Sequence, residues 1–244
     1  MNQPVTLEQL GESLGLAPRE QIAVVGGGGK STTVLALGRQ LPGRVILTTT
    51  TKMGARQTAG FPVLEAPSQD SLRAALDSGT VMVRSKVQGS KALGVTPECC
   101  DEWFADPTLS NYVVIEADGA RTRPFKAPAP HEPVIPQTAT VVLSVIGADA
   151  LGRVIADQCQ RPMRVAALAG CSPYERLTPA RAGAVLLHER GGARNVPDRA
   201  RRVVLITKVP NPEVDPDTRE LADALRHELA RHVEVIAVGW READ

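Results

Sequence analysis

Short aliphatic runs alternate with segments of helical periodicity along most of the chain. The run at residues 22–25 predicts a buried strand, and Val34, Leu37 and Leu41 share one face of the helix predicted after it, at residues 32–41. Further strands are predicted at residues 45–47, 63–64, 81–84, 112–115, 141–146, 203–206 and 233–238. Further helices are predicted at residues 68–76, 179–188 and 216–231, with a short one after Pro97. This alternation predicts an α/β fold with a mostly parallel sheet and helices on both faces.

The N-terminal residues predict a helix of their own. Thr6 and Gln9 have the spacing of a capping box, and an apolar series that begins at Leu10 follows them. We therefore expect an N-terminal capping helix within residues 1–20 and a single domain over residues 21–244.

One stretch departs from the strand and helix pattern. Residues 121–137 contain five prolines, which exclude a regular helix. We expect a proline-rich loop at residues 119–137.

Composition narrows the classes of partner. The 244 residues are 43% hydrophobic, enough for a core, and the net charge of +1 creates no field that would gather nucleic acid or an anionic membrane. Aromatic residues make up 3% of the chain, too few for a platform that stacks single-stranded bases. The N-terminus lacks a secretory signal, and no stretch reaches membrane-spanning length. We therefore expect a cytoplasmic protein with no nucleic-acid or membrane partner.

The four cysteines, Cys99, Cys100, Cys159 and Cys171, show no CxxC pair. This spacing predicts reduced thiols rather than a zinc site. It assigns no role to the adjacent Cys99 and Cys100.

The segment VVGGGGKSTT at residues 24–33 lies between the first predicted strand and its helix. A full Walker A loop, GxxxxGK followed by Ser or Thr, would place a glycine where Val24 stands. The remaining glycines and Lys30 form a shorter loop, similar to those of Mur-type ligases and, in glycine placement, to the MinD and nitrogenase-iron-protein class. That second class would also have a lysine at the position of Val25.

A loop of this form can bind the phosphates of a nucleotide. Glycines let the backbone curl so that N–H groups point at an anion, and the following helix adds its positive end. Lys30 would reach the β- and γ-phosphates, and the Ser31 hydroxyl would bind Mg²⁺. The expected nucleotide-binding residues are Gly26, Gly27, Gly28, Gly29, Lys30, Ser31 and Thr32. The alternative is an ordinary glycine-rich turn.

The segment VVIEADG at residues 113–119 supplies carboxylates at the end of a buried strand. Magnesium needs such a group from a neighbouring strand. We assign Glu116 to the metal and Asp118 to a water or the substrate, although the reverse assignment and a turn-capping carboxylate stay open. Thr51 follows the second strand and is expected to complete the metal shell, unless the threonine run there reflects strand propensity alone.

A third element, LITKVP, has the placement of the [NT]KxD element of GTPases. Thr207 and Lys208 are expected to contact the nucleotide, but Pro210 replaces the aspartate that reads guanine. Without that carboxylate, strong guanine selectivity loses its physical basis. ATP and GTP both stay open.

Taken together, VVGGGGKSTT, LTTTTKM, VVIEADGARTRPFKAPAPHEPVIP, VIGADALGR and LITKVP resemble the YqeC family, described as accessory proteins for selenium-dependent molybdenum hydroxylases. The resemblance extends over about residues 22–209. It implies a three-layer P-loop NTPase-like fold and a role in maturing a selenium- or molybdenum-containing cofactor. The chain departs from the family pattern at Thr207 and Pro210, and at Ser31, where threonine is common.

The proline-rich loop is the expected site of a second substrate. It follows a strand and so emerges at the carboxyl edge of the sheet, where α/β proteins bind ligands. Arg121 and Lys126 could hold a pterin phosphate or an oxyanion of selenium or molybdenum, with Glu132 beside them, and His131 could shuttle a proton. The alternative is a rigid surface crossover with solvated charges.

Three functions remain open at this stage. The first is an enzyme that cleaves ATP or GTP to activate a cofactor precursor, with Lys30, Asp118 and His131 as catalytic residues. The second is a nucleotide-gated chaperone that delivers a cofactor to an apo-hydroxylase client. The third is a Mur-like ligase or kinase acting on a small molecule.

Overall fold

A computed structural model describes residues 3–239 of the chain. Residues 1, 2 and 240–244, which the expected terminal boundaries include, lie outside the described residues. Eight α-helices are present within residues 3–239: α1 (Leu10–Ser13), α2 (Lys30–Gln40), α3 (Gln69–Leu76), α4 (Pro97–Ala105), α5 (Ile155–Gln158), α6 (Pro162–Ala169), α7 (Pro179–Leu187) and α8 (Pro216–Leu229). Within that range every helix is too short or too polar to cross a lipid bilayer.

The strands form one large sheet and two small ones. The strands are β1 (Glu20–Gly26), β2 (Val45–Thr49), β3 (Lys52–Gly54), β4 (Val63–Glu65), β5 (Thr80–Arg84), β6 (Lys86–Gln88), β7 (Lys91–Leu93), β8 (Tyr112–Glu116), β9 (Phe125–Lys126), β10 (Val141–Gly147), β11 (Cys159–Gln160), β12 (Arg201–Val209) and β13 (Glu234–Gly239). The large sheet has eight strands in the order β13-β12-β10-β1-β8-β2-β5-β4, all parallel. The carboxyl ends of β1, β8, β10 and β12 therefore meet at one edge.

Alternation along the buried strands places helices on both faces of the sheet. In β1, Ile22 and Val24 pack with α1 and α2 on one face, while Ala23 and Val25 pack with α3 and α4 on the other. Helices α7 and α8 continue that second layer beneath β10 and β12. The predicted three-layer α/β fold is confirmed.

The N-terminal segment is shorter in helix than its apolar pattern suggests. A 3₁₀ turn (Leu7–Gln9) precedes α1, and Gln9 Oε1 accepts the Thr6 N–H at 3.0 Å. Gln40 of α2 holds the segment, because its amide accepts the Gly11 N–H at 2.7 Å and donates to the Leu7 carbonyl at 2.9 Å. The segment therefore packs directly on the helix that follows the glycine loop.

Two small sheets were not predicted from the sequence. Strands β3, β7 and β6 form an antiparallel sheet, and β9 in the proline-rich loop pairs with β11. These strands have two or three residues each, too few to show a period, so only pairing with a distant segment defines them.

We expect Leu37→Ala to lower the free energy of unfolding by about 2–5 kcal/mol, because Leu37 is fully buried between α2 and the sheet. Urea denaturation measures the change. The control is Val214→Ala, since Val214 is 70% exposed and its loss should stay within about 0.5 kcal/mol. Equal losses in the two variants would contradict the core assigned here.

Candidate functional site

The loop between β1 and α2 depends on glycine. Gly26, Gly28 and Gly29 have φ of 97°, 82° and 120°, a region that side chains rarely adopt. A Cβ on Gly26 would lie 2.3 Å from the Val145 carbonyl oxygen, and one on Gly28 would lie 2.3 Å from the Gly147 nitrogen. The loop is thus curled tightly against the end of β10.

Backbone N–H groups in this loop divide into two sets. Those of Gly27 and Gly28 donate to the carbonyls of Val145 and Arg123, at 2.9 and 3.2 Å, and fix the loop. The next four N–H groups have no acceptor anywhere in residues 3–239; they belong to Gly29, Lys30, Ser31 and Thr32. These groups form the amino-terminal end of α2, an 11-residue helix, and are available to an anion.

Lys30 and Asp118 meet behind the loop. Lys30 Nζ donates to the Gly26 carbonyl at 2.7 Å and lies 3.3 Å from Asp118 Oδ1. Asp118, only 2% exposed, also accepts the Gly26 N–H at 3.0 Å and the Lys126 ammonium at 2.9 Å. Its carboxylate supports the glycine loop, and the contact with water or substrate expected from the sequence stays a prediction.

The expected metal ligands are brought together. Ser31 Oγ donates to Glu116 Oε2 at 2.6 Å. Thr49 Oγ1 and the Thr50 N–H both bond to the Glu116 carbonyl, at 2.8 and 3.2 Å, so Thr51 lines the same cleft. A hydroxyl and a carboxylate fit Mg²⁺, which binds through few protein ligands and completes its shell with water and, where a phosphate is bound, with phosphate oxygens.

The electrostatic state of Glu116 follows from its position. Burial raises the pKa of Glu116 above its ordinary value, although the charge of Lys30 and the Ser31 hydrogen bond act in the opposite direction. A bound cation would favour the ionised carboxylate.

Thr207 and Lys208 lie on the other side of the loop. Thr207 Oγ1 donates to the carbonyls of Gly28 and Ile146, so this buried side chain supports the loop and does not face the cleft. Lys208 lines the cleft and pairs with Asp149 at 2.6 Å. Of the two residues expected to contact a nucleotide here, only Lys208 is positioned beside open space.

One cleft of about 800 Å³ at the carboxyl edge of the sheet is lined by Lys30, Ser31, Thr51, Glu116 and Lys208. The proline-rich loop contributes Arg121, His131 and Glu132 to its wall. Lys126 is absent from that wall. It is 4% exposed, and its ammonium bonds to the Gly119 carbonyl at 2.7 Å, to Asp118 and to Glu132 at 2.6 Å. Lys126 therefore holds the loop in place, and the anion-binding role expected for it stays a prediction.

Glu132 joins Lys126 to a residue that the sequence did not indicate. Arg161 makes two contacts with the Glu132 carboxylate, each at 2.9 Å. Burial would raise the pKa of Glu132, but the hydrogen bonds and charges of Lys126 and Arg161 outweigh it and lower that pKa. His131 is 78% exposed beside them.

The cleft residues missed by sequence reasoning include Gln57, Lys91, Gln160 and Arg161. Lys91 lies in the unpredicted sheet, and Arg161 precedes Pro162 at the start of α6, the one local signal that marks its position. Cys99 and Cys100 lie in α4, outside this cleft. Burial raises the pKa of the Cys100 thiol well above its usual range.

Comparison with known proteins gives two matches. A family model described as YqeC protein matches residues 22–163, which contain the glycine loop, Glu116, the proline-rich loop and Arg161. An uncharacterized protein YqeC of Escherichia coli (strain K12) is 34% identical over 193 residues, covering 77% of this chain and 75% of that protein. No solved structure matches the chain.

We expect Gly28→Ala to destabilise the protein more than Gly60→Ala. Both glycines have φ of 82°, but a Cβ on Gly60 would meet nothing within 4 Å, whereas one on Gly28 would meet backbone. The shared strain is about 1–2 kcal/mol, and the clash at Gly28 should add about 1–3 kcal/mol. Urea denaturation of both variants measures the difference. Equal stabilities would contradict the close approach of Gly28 to β10.

Proposed function

The chain belongs to the YqeC family, and from that premise we propose that it is a P-loop protein that binds and hydrolyses a Mg²⁺-bound nucleoside triphosphate. One observation carries the proposal. Four backbone N–H groups without acceptors in residues 3–239 converge beside Lys30, at the start of a helix and next to the Ser31–Glu116 pair. This combination of donors, cation and metal ligands is suited to a triphosphate.

Each residue has a specific role in this proposal. The N–H groups of Gly29 to Thr32 bind phosphate oxygens, and the Lys30 ammonium moves from the Gly26 carbonyl to the β- and γ-phosphates. Ser31 and Glu116 hold the metal, with Thr51 as an additional ligand. When bound, Mg²⁺ would neutralise charge on the phosphates and orient them. ATP and GTP are both candidates, since Pro210 provides no carboxylate to read guanine.

The biological role proposed is maturation of the cofactor of a selenium- or molybdenum-containing hydroxylase. Its support is the family resemblance of the glycine loop and the proline-rich block, together with a cleft large enough to admit a second small molecule. The relative from Escherichia coli is itself uncharacterized, so the proposed role rests on the resemblance and on the cleft, not on that protein.

The packing of the proline-rich loop favours an enzyme over a nucleotide-gated chaperone. Side chains outside the loop donate to its carbonyls: Arg164 to Pro128 at 2.8 Å, Arg194 to Glu132 at 3.1 Å and Asn195 to Pro133 at 2.9 Å. A loop held at several points is suited to positioning a small substrate. Reordering it to release a client would break these bonds.

We expect Lys30→Ala to weaken nucleotide binding by about tenfold to hundredfold, because it removes charge-assisted bonds to the phosphates. Isothermal titration calorimetry with a non-hydrolysable ATP analogue and its GTP counterpart, each with Mg²⁺, measures the loss. Circular dichroism checks the fold. The control is Lys86→Ala, because Lys86 is exposed on β6, away from the cleft. Unchanged affinity in Lys30→Ala would refute the phosphate-loop assignment.

Magnesium affinity should rise with pH through the raised pKa of Glu116. Below that pKa the carboxyl group holds a proton that the metal must displace, and above it the carboxylate is already free. Metal titrations of the nucleotide-loaded protein at several pH values measure this dependence. Glu116→Gln should bind Mg²⁺ more weakly and lose this part of the pH dependence. Glu189→Gln, an exposed control, should behave as the parent protein. A Glu116→Gln profile identical to the parent's would remove Glu116 from the metal site.

A further inference from the structure

The wall of the cleft beyond the phosphate loop has features that nucleotide binding does not use. We propose that Arg121, Arg161 and His131 form a second anion subsite, which binds the phosphate ester or tetrahedral oxyanion of a co-substrate. The inference rests on the proposed function, because it describes the group that lies opposite a nucleotide held in the phosphate loop. It differs from the expectation drawn from sequence, in which Lys126 was the partner of Arg121.

Backbone strain concentrates in this cleft. Seven non-glycine residues in the described part of the chain have positive φ, and four of them line the cleft: Arg121, Thr122, Arg161 and Lys208. Side chains in that conformation are disfavoured, and they cluster where a site requires a particular geometry. Three of these four carry a positive charge. The residues with this strained backbone therefore bring three positive charges to one cleft.

Arg161 is held in a fixed position. Its guanidinium forks onto Glu132, which is itself fixed by Lys126, and Lys126 is fixed in turn by Asp118. The two contacts with Glu132 use only some of the N–H groups of the Arg161 guanidinium. Within residues 3–239, Glu132 is the sole hydrogen-bond acceptor of this guanidinium. The remaining N–H donors can serve an anion without losing the anchor, and a planar guanidinium suits phosphate-like oxygens.

Within the described part of the chain, the positive charge of Arg121 has no ion-pair partner. Arg121 is exposed, and among residues 3–239 no carboxylate forms an ion pair with it. The same holds for Lys52 and Lys91, on the small antiparallel sheet that forms another wall of the cleft. Lys30 and the α2 amides are the groups assigned to the triphosphate in the proposed function, so we read these further cations as partners of a second negatively charged group.

The test uses full-length protein loaded with Mg²⁺ and a non-hydrolysable nucleotide. Calorimetry then measures binding of molybdate and inorganic phosphate as free oxyanions, and of glycerol 3-phosphate as an ester. Arg121→Gln and Arg161→Gln should each weaken anion binding by about tenfold, the loss of one charge-assisted bond, while nucleotide affinity stays within about twofold. Arg199→Gln is the control, since Arg199 is exposed and outside the cleft.

The outcomes separate the two proposals. Tighter binding of the ester than of the oxyanions would identify a phosphorylated co-substrate, and the reverse order a free oxyanion; both support the subsite. Two outcomes would overturn the subsite alone, provided that the protein binds nucleotide. In the first, both arginine variants bind the anion as tightly as the parent protein does; in the second, the parent protein binds no anion. Loss of nucleotide affinity in the arginine variants would assign Arg121 and Arg161 to nucleotide binding, which would also overturn the proposed subsite. Failure of the parent to bind nucleotide would instead refute the proposed function.

Discussion

The buried carboxylate of Asp118 is the interaction on which the site depends. It accepts the N–H of Gly26 and lies within ion-pair distance of both Lys30 and Lys126. One side chain thereby joins the turn after β1, the first residue of α2 and the proline-rich loop. Removing it would leave the buried Lys30 ammonium without an ion-pair partner among residues 3–239 and would leave Lys126 with Glu132 alone. The loss of a buried counter-charge is far more costly than the loss of a surface ion pair. The glycine loop and the proline-rich loop are therefore parts of one charge network.

The same network explains why a loop without a leading glycine can still curl. At the position where a Walker A loop has that glycine, Val24 is fully buried in β1 and lies opposite Glu116 of β8. The strand continues to Gly26, so the turn is compressed into the glycines that follow. Asp118 holds the Gly26 N–H, and Thr207 holds the Gly28 carbonyl. Support comes from side chains of other segments, Asp118 just after β8 and Thr207 in β12.

From the sequence it was possible to predict which residues lie together where the order of strand, loop and helix alone determines their positions. Ser31 contacts Glu116 because the start of α2 and the end of β8 lie at the same edge of the sheet. The motifs VVGGGGKSTT and VVIEADG indicated both of these positions. The roles of Lys126 and Thr207 depend on contacts between distant segments, so their burial could not be inferred from composition. Arg161 joins the cleft only because β11 pairs with β9, and its left-handed backbone has no sequence signature. The fold was predictable because most strands of the large sheet are continuous aliphatic runs, and these runs alternate with helical segments along the chain.

Asp118 also determines how Lys30 can act. The network contains three cations, Lys30, Lys126 and Arg161, and two carboxylates, Asp118 and Glu132. If Lys30 turns towards a phosphate, Asp118 keeps Lys126 at 2.9 Å and the Gly26 N–H, so no buried charge is left alone. Of the two ammonium groups beside Asp118, Lys30 is the more distant, with its Nζ 3.3 Å from Asp118 Oδ1. Without Lys30, the network has two cations, Lys126 and Arg161, and two carboxylates, Asp118 and Glu132, so its charges balance. The Lys30 ammonium can therefore bind an arriving polyanion while both carboxylates keep a cationic partner.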